Sequence, residues 1–315
     1  MNIKHFFQLI RYKNLIIIAL TMYAIRYGIV YIFLKQIGYS LQLNEFHFFL
    51  LVLSTVSIAA AGYAINDYFD IRSDISNHPE SVIVGTKIPR RTALTINNLF
   101  NFLGVALGFY VSYQINLVKL GFLFLFISGI LWFYSSYFKR ILLLGNIVVA
   151  TFSAIVPLLP VIYEIPLLNE IITEKRPPVE AKTVSVIFLF ALGYAYFAFL
   201  FTLIREIIKD MEDMLGDKEL QRNTLPLVYG VNKSKLVVYS LSAIIIFSIL
   251  IIYIYFFQDI TSIVYLTATI IIPLIYLMYI LYKAKGKKEF YKISQQLKLI
   301  MFFGLGFTVI LWLTL

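Results

Sequence analysis

The chain has 315 residues, of which 60% are hydrophobic and 14% charged, with a net charge of +10 and a mean hydropathy of +0.84. A soluble domain of this size carries about 25% charged residues, so the composition excludes an ordinary soluble protein. Long apolar runs instead predict an all-α polytopic membrane protein, and the absence of cysteine excludes disulfides and thiolate chemistry.

Nine apolar stretches are long enough to cross a bilayer, which requires about 20 residues each. No linker rich in Pro, Gly or Ser divides them, so we expect one helical domain over residues 1–315. The first stretch is too long, and too poor in small residues, to be a removable signal peptide. The predicted spans are 15–34, 47–65, 93–113, 118–138, 141–163, 183–204, 236–257, 260–281 and 299–315.

Basic residues are concentrated on one side of these spans. With the N-terminus inside, the inner segments hold most of the 27 Lys and Arg. This bias follows the positive-inside rule and predicts a cytoplasmic N-terminus. The basic excess is therefore a topology signal, and we expect no nucleic-acid partner. The outer segments hold only Lys35, Lys119, Lys175, Arg176 and Lys182.

Two features stand out on or near the outer side. Arg26 lies within the first predicted span, where a charge is costly and should face the protein interior or water. Two interpretations remain open: Arg26 binds an anionic acceptor, or its side chain snorkels along a tilted helix to reach the membrane surface. Further along, Pro166, Pro177 and Pro178 predict an irregular outer loop at 164–182.

The sequence "NDYFDIRSD" follows the second predicted span at its cytoplasmic end. It defines the first acidic cluster, which comprises Asn66, Asp67, Asp70 and Asp74. Residues four apart share one face of a helix, so the amide and two carboxylates line one side, with Asp67 beside them. The predicted inner loop runs from about 66 to 92.

A second inner segment, about 205–235, begins "REIIKDMEDMLGD" after the sixth span. It defines the second acidic cluster, which comprises Glu206, Asp210, Asp213 and Asp217. These positions also fall on one helical face. The two clusters can meet if their spans are neighbours, and they would then form one site. The alternative without a site is that each cluster is a solvated loop.

Carboxylates stacked on one face repel each other unless a cation binds them. Oxygen ligands without His or Cys suit Mg²⁺, which one or two carboxylates hold together with substrate phosphates. The clusters therefore predict a diphosphate bound through Mg²⁺. The bases that could contact its remaining oxygens are Arg72, Arg90, Arg91, Lys139 and Lys209.

At this point the residues resemble the UbiA-type intramembrane prenyltransferases. "NDYFDIRSD" is similar to their first motif, N-D-x-x-D-x-x-x-D. "DMLGD" (213–217) followed by "NTLP" (223–226) resembles their second motif, and "YSSYFKRILLLGNIVVA" (134–150) also matches. The resemblance implies nine helices around a central cavity and Mg²⁺-dependent transfer of a polyprenyl group from its diphosphate to a lipophilic acceptor.

The resemblance also implies roles for particular residues. Tyr134 and Lys139 match the pair that approaches the diphosphate, and Arg11 and Asn14 match the Arg and Asn that open the first helix. The prenyl tail would lie between helices, in contact with membrane lipid. The ligands of one Mg²⁺ would be Asn66, Asp70 and Asp74, with Asp67 adjacent, and those of the other would be Asp213 and Asp217, helped by Asp210. We expect the catalytic residues to be Asp70, Asp213, Lys139 and Tyr134. We expect the phosphates to be bound by Arg72, Arg91 and Lys209.

One loop departs from the family pattern. "NHPESVIVG" (77–85) has His78 and Ser81 where arginines are common, and Val82 where a proline is common, so Lys87, Arg90 and Arg91 are the nearest substitutes.

The second motif most resembles the branch that makes digeranylgeranylglyceryl phosphate from geranylgeranylglyceryl phosphate. Prenylation of an aromatic quinone precursor is the alternative, and a cation-binding transporter is the alternative of another class. Acidic residues at helix ends disfavour the transporter, because transporter sites usually lie near the bilayer midplane.

Overall fold

The computed structural model describes residues 2–175 and 179–314, and these are helical almost throughout. Among the described residues, nine helices are long and apolar enough to cross a membrane, which confirms the predicted all-α, nine-span membrane fold. They are Tyr12–Gln36, Glu45–Asn77, Arg90–Gln114, Val118–Ser136, Leu144–Leu168, Lys182–Glu212, Val231–Phe257, Ile260–Lys283 and Lys287–Thr314.

The chain folds into two compact units, residues 1–139 with 156–191, and residues 140–155 with 192–315. The single domain over 1–315 stays a prediction. The first unit contains α1 (Ile3–Leu9), α2 (Tyr12–Ile25), α3 (Tyr31–Gln36), α4 (Glu45–Asn77), α5 (Arg90–Gln114), α6 (Gly121–Ser136) and parts of α7 (Leu144–Lys175) and α8 (Val179–Glu212). The second unit contains the rest of α7 and α8 with α9 (Met214–Glu219), α10 (Leu225–Tyr229), α11 (Val231–Ile252), α12 (Ile260–Leu266), α13 (Ile272–Lys283) and α14 (Lys287–Thr314).

Helix α4 packs closely on α5 through small and polar residues. The Ser54 hydroxyl donates to the Gly104 carbonyl at 2.6 Å, and the Asn97 amide donates to the Ala61 carbonyl at 3.0 Å. A Cβ at Gly104 would lie 2.5 Å from a side-chain carbon of Ile58 and 2.9 Å from the Ser54 carbonyl oxygen. Membrane helices associate through such close packing and interhelical hydrogen bonds. This contact sets the position of α4, whose last turns carry the first acidic cluster.

Several predicted segment boundaries were wrong, because helices run beyond their apolar parts. The predicted inner loops at 66–92 and 205–235 are helical as far as Asn77 and Glu212, respectively. In the predicted outer loop at 164–182, α7 continues to Lys175 with Pro166 inside it, as membrane helices tolerate. Pro177 and Pro178 lie outside the described residues.

The connection between α4 and α5 packs inward through its apolar residues. Val82, Val84 and Ile88 are buried, and Val84 and Ile88 join a core cluster with Leu9 of α1 and Ala93 of α5. The apolar residues of "NHPESVIVG" therefore contribute to the core of the first unit.

Arg26 is buried and faces the interior of the first unit. It begins a π-helical segment, Arg26–Val30, between α2 and α3. Its guanidinium donates to the Leu43 carbonyl at 2.5 Å and to Glu45 at 2.9 Å, and lies 3.5 Å from the buried Glu164 carboxylate. Glu164 in turn accepts hydrogen bonds from the backbone N–H groups of Gln42 and Leu43. This network ties α7 to the connection between α3 and α4, which favours a structural role for Arg26.

We expect Gly104→Ala to destabilise the protein by about 1–3 kcal/mol, because the added methyl group collides with α4. Thermal unfolding of the purified protein in detergent measures this as a lower apparent Tm. Gly129→Ala is the matched control, since a Cβ there meets nothing within 4 Å and alanine favours helix by up to about 1 kcal/mol. Equal Tm changes in the two variants would contradict the packing argument.

Candidate active site

The first acidic cluster occupies the last turns of α4, and Asp67 is held by a residue from the chain start. The Arg11 guanidinium donates to the Asp67 carboxylate at 2.8 Å and lies 5.1 Å from the centre of the Tyr63 ring. Arg11 adopts a left-handed backbone conformation with φ of 51°. Such a conformation is uncommon for a residue other than glycine, and here it accompanies an ion pair that orients Asp67.

Asp70 faces Lys139, and both residues were expected to be catalytic. The Asp70 side chain is buried, and its carboxylate forms an ion pair with the Lys139 ammonium group. Lys139 also lies 5.5 Å from the centre of the Tyr134 ring. The structure therefore brings Asp70, Lys139 and Tyr134 together within the first unit.

Asn66 and Asp74 complete the same face of α4, one turn before and one turn after Asp70. The Asn66 Oδ1 atom is buried and has no hydrogen-bond partner. Asp74 is half-buried and forms no ion pair with any residue that the structure describes. An unpartnered buried oxygen costs free energy, and Mg²⁺ prefers oxygen ligands of this kind. These residues therefore fit a bound Mg²⁺.

The predicted phosphate-binding cations of the first unit lie at its surface. Arg72 and Arg91 are exposed, as is Lys87. Arg90 is also exposed, and its guanidinium lies 5.5 Å from the centre of the Tyr68 ring. Among these four cations and Lys139, the structure places only Lys139 against a carboxylate of the first cluster.

In the second unit, neighbouring side chains hold two carboxylates of the second acidic cluster. The Asn146 amide of α7 donates to Asp210 at 2.8 Å, and Arg222 forms an ion pair with the buried Asp217 at 2.9 Å. Asp213 is half-buried between α8 and α9. These contacts place Asp210 beside α7 and Asp217 beside the segment that follows α9.

The fourth carboxylate of that cluster, Glu206, lies between two cations of α8. The Arg205 guanidinium donates to Glu206 at 2.7 Å, and the Lys209 ammonium lies 3.8 Å from the same carboxylate. Lys209, predicted to bind phosphate, is therefore paired with Glu206 in this structure.

Three partners of the clusters, Asn146, Arg205 and Arg222, were not among the predicted site residues. Arg11 was named through the resemblance, but its pairing with Asp67 was not predicted. Arg11 and Asn146 are separated from their carboxylates by 56 and 64 residues, so no local pattern pairs them. Arg222 is only five residues from Asp217, and the turn after α9 brings it back. A search for cations just beyond the second motif could have found it.

Comparisons with known proteins identify one family. Residues 36–306 match the model of the UbiA prenyltransferase family. Digeranylgeranylglyceryl phosphate synthase of Methanosphaera stadtmanae is 31% identical over 243 residues, which cover 76% of this chain and 79% of that protein. The protein of the same name from Sulfolobus acidocaldarius is 31% identical over 201 residues, which cover 64% of each chain.

Solved structures resemble the whole chain. A structure of digeranylgeranylglyceryl phosphate synthase has a TM-score of 0.63 and 23% identity, covering 98% of this chain and 97% of that one. A UbiA homologue from Archaeoglobus fulgidus, bound to GPP and Mg²⁺, has a TM-score of 0.59 and 17% identity, covering 95% and 98%. At these identities the likeness establishes the fold.

A nine-span helical membrane protein with two aspartate-rich helix ends is thus the class that the fold and site define. The chain belongs to the UbiA prenyltransferase family. The predicted family and enzyme class are confirmed.

We expect Arg11→Gln to destabilise the protein by about 1–3 kcal/mol, because Asp67 loses its charged hydrogen-bond partner. The apparent Tm in detergent measures this effect. Arg72→Gln is the matched control, since Arg72 is an exposed arginine near the same end of α4, and its removal should stay within about 0.5 kcal/mol. A Tm for Arg11→Gln no lower than that of the control would show that the ion pair contributes nothing to stability.

Proposed function

We propose that the protein transfers a geranylgeranyl group from geranylgeranyl diphosphate to geranylgeranylglyceryl phosphate in a Mg²⁺-dependent reaction. The family membership and the relatives named digeranylgeranylglyceryl phosphate synthase support this substrate pair. The observation that carries the proposal is the unpartnered, buried Asn66 Oδ1 on the same face of α4 as Asp70 and Asp74. It would supply an oxygen ligand to the Mg²⁺ that binds the diphosphate.

Each acidic cluster is proposed to hold one Mg²⁺. In the first cluster Asn66, Asp70 and Asp74 would be the ligands, with Asp67 oriented beside them by Arg11. In the second, Asp213 and Asp217 would be the ligands, helped by Asp210, which Asn146 positions. When bound, Mg²⁺ supplies positive charge that stabilises the diphosphate as its negative charge develops.

Lys139 and Tyr134 would act on the reacting group itself. When the diphosphate binds, the Lys139 ammonium can donate to one of its oxygens, and positive charge so placed stabilises the leaving group. The Tyr134 ring lies beside Lys139, and its face can stabilise positive charge on the allylic carbon. The bond from C1 to the diphosphate oxygen breaks with its electron pair on that oxygen. The acceptor hydroxyl oxygen bonds to C1, and its proton passes to the released diphosphate.

Arg72, Arg91 and Lys209 remain proposed phosphate contacts. Arg72 and Arg91 are exposed, so they would contact phosphate oxygens from the surface side of the first unit. Lys209 would share its charge between Glu206 and a phosphate oxygen.

We expect purified protein to form digeranylgeranylglyceryl phosphate and diphosphate from the two substrates with Mg²⁺, and to lose turnover when EDTA removes the metal. Asp70→Ala and Asp213→Ala should each lower kcat by at least about 100-fold, since each removes charge that stabilises the transition state. Glu80→Gln is the control, because it removes an exposed carboxylate outside both clusters.

The same assay offers 4-hydroxybenzoate and a dihydroxynaphthoate as acceptors in parallel. Product from an aromatic acceptor alone would replace the proposed lipid acceptor with a quinone precursor. No diphosphate release with any acceptor would overturn the proposed activity.

The proposed orientation has the N-terminus and both acidic clusters on the cytoplasmic side. Because the chain has no cysteine, single-cysteine variants can report it without background. We expect a membrane-impermeant maleimide to label Lys35→Cys and Lys119→Cys in intact cells. Glu80→Cys and Lys285→Cys should be labelled only after the membrane is opened; the reverse pattern would invert the topology. All four positions are exposed.

A further inference from the structure

Arg205 is a cation in the last two turns of α8 (Val179–Glu212) that the proposed reaction does not yet use. It lies in the candidate span Lys182–Glu212, five residues before Asp210 and so about 7–8 Å along the helix axis from it. Its side chain is 19% exposed, and that of Glu206 is 13% exposed. A buried charged group without all its hydrogen-bond partners is costly unless a ligand completes them.

The guanidinium of Arg205 is only partly satisfied. Its Nη1 atom donates to Glu206 at 2.7 Å, whereas its Nε atom is buried and has no hydrogen-bond partner. The edge formed by Nε and Nη2 makes no hydrogen bond with any residue that the structure describes. That edge carries two parallel N–H donors, the geometry that binds two oxygens of a phosphate at once. The free edge is therefore suited to bind an oxyanion.

Lys209 increases the positive charge at the same place. It follows Arg205 by one turn, so the two side chains share a face of α8, and both lie near the single carboxylate of Glu206. The three side chains together carry one net positive charge. The neighbouring Asp210 carboxylate accepts a hydrogen bond from Asn146 of α7.

We propose that Arg205 and Lys209 bind the phosphomonoester of the acceptor and thereby select a phosphorylated acceptor over a neutral one. This inference rests on the proposed function, and it adds a specificity-determining site to that reaction. The donor diphosphate has Lys139, Arg72, Arg91 and the proposed metal sites as its cations, and this inference assigns Lys209 to the phosphate of the acceptor. A planar guanidinium with a free edge suits a phosphomonoester better than an ammonium group does.

The test compares acceptor kinetics in wild-type protein with Arg205→Gln and Arg205→Lys. One charged hydrogen-bond contact is worth about 1.5–3 kcal/mol, so we expect Arg205→Gln to raise KM for geranylgeranylglyceryl phosphate by about 10- to 100-fold. Arg205→Lys should recover only part of this loss, because it keeps the charge and loses the edge. KM for geranylgeranyl diphosphate and the Mg²⁺ concentration for half-maximal rate should stay within about 2-fold.

Two controls separate the inference from its alternatives. Lys233→Gln removes an exposed lysine of the second unit and should leave acceptor KM unchanged, which excludes general attraction of anions. Geranylgeranylglycerol, which lacks the phosphate, should react poorly with wild-type protein and no worse with Arg205→Gln. Thermal unfolding in detergent checks that each variant is folded. If Arg205→Gln is misfolded, acceptor KM is compared between wild-type protein and the variants Arg205→Lys and Lys209→Gln.

The possible failures can be told apart. A wild-type protein that does not prenylate geranylgeranylglyceryl phosphate would overturn the proposed function, and this inference with it. A wild-type protein that does so, with acceptor KM unchanged in folded Arg205 and Lys209 variants, would overturn the inference alone. A rise in KM for the donor instead of the acceptor would assign these cations to the diphosphate.

Discussion

A charged group at the end of an apolar helix must find an opposite charge, a hydrogen-bond partner or a ligand, because lipid and protein solvate it poorly. Most carboxylates of the two acidic clusters meet this requirement within the protein. Asp67 and Asp70 are paired with Arg11 and Lys139, and Asp217 with Arg222. Among the groups near the clusters that have no hydrogen-bond partner are the Asn66 oxygen and the Nε atom of Arg205. One needs a cation or donor and the other an anion, as expected of a protein that binds metal ions and phosphates.

The buried charge of Arg26 must also find partners, and it finds them within the protein. Arg26 meets two carboxylates and a carbonyl, and Glu164 accepts two backbone N–H groups in addition. Glu164 is therefore fully engaged, and the connection between α3 and α4 supplies the donors. Removing one member of such a buried pair is costly, since the other charge stays behind. The Arg26 Nε atom makes no hydrogen bond, but both of its Nη atoms contact protein oxygens. The network therefore favours architecture over ligand binding.

The sequence predicted the features that local patterns encode. Apolar runs revealed nine spans, and the four-residue spacing of Asn66, Asp70 and Asp74 placed them on one face. It did not predict where α4 and α8 end, because polar residues extend a helix as readily as apolar ones once one side is packed. The sequence also did not predict the pairings of Arg11 with Asp67 and of Asn146 with Asp210. Both depend on how distant segments pack, and the residue types alone allow many partners.

The connection between α4 and α5 contributes packing, because Val82, Val84 and Ile88 are buried. The cations that pair with carboxylates of the two clusters lie outside this connection. They are Arg11 just before α2, Lys139 close after α6, Arg205 and Lys209 on α8, and Arg222 after α9. Side chains on helices hold their positions better than those on loops. If side chains on helices contact the phosphates, the packing that positions the carboxylates would also position these side chains. Such contacts would need no loop to close over the substrate.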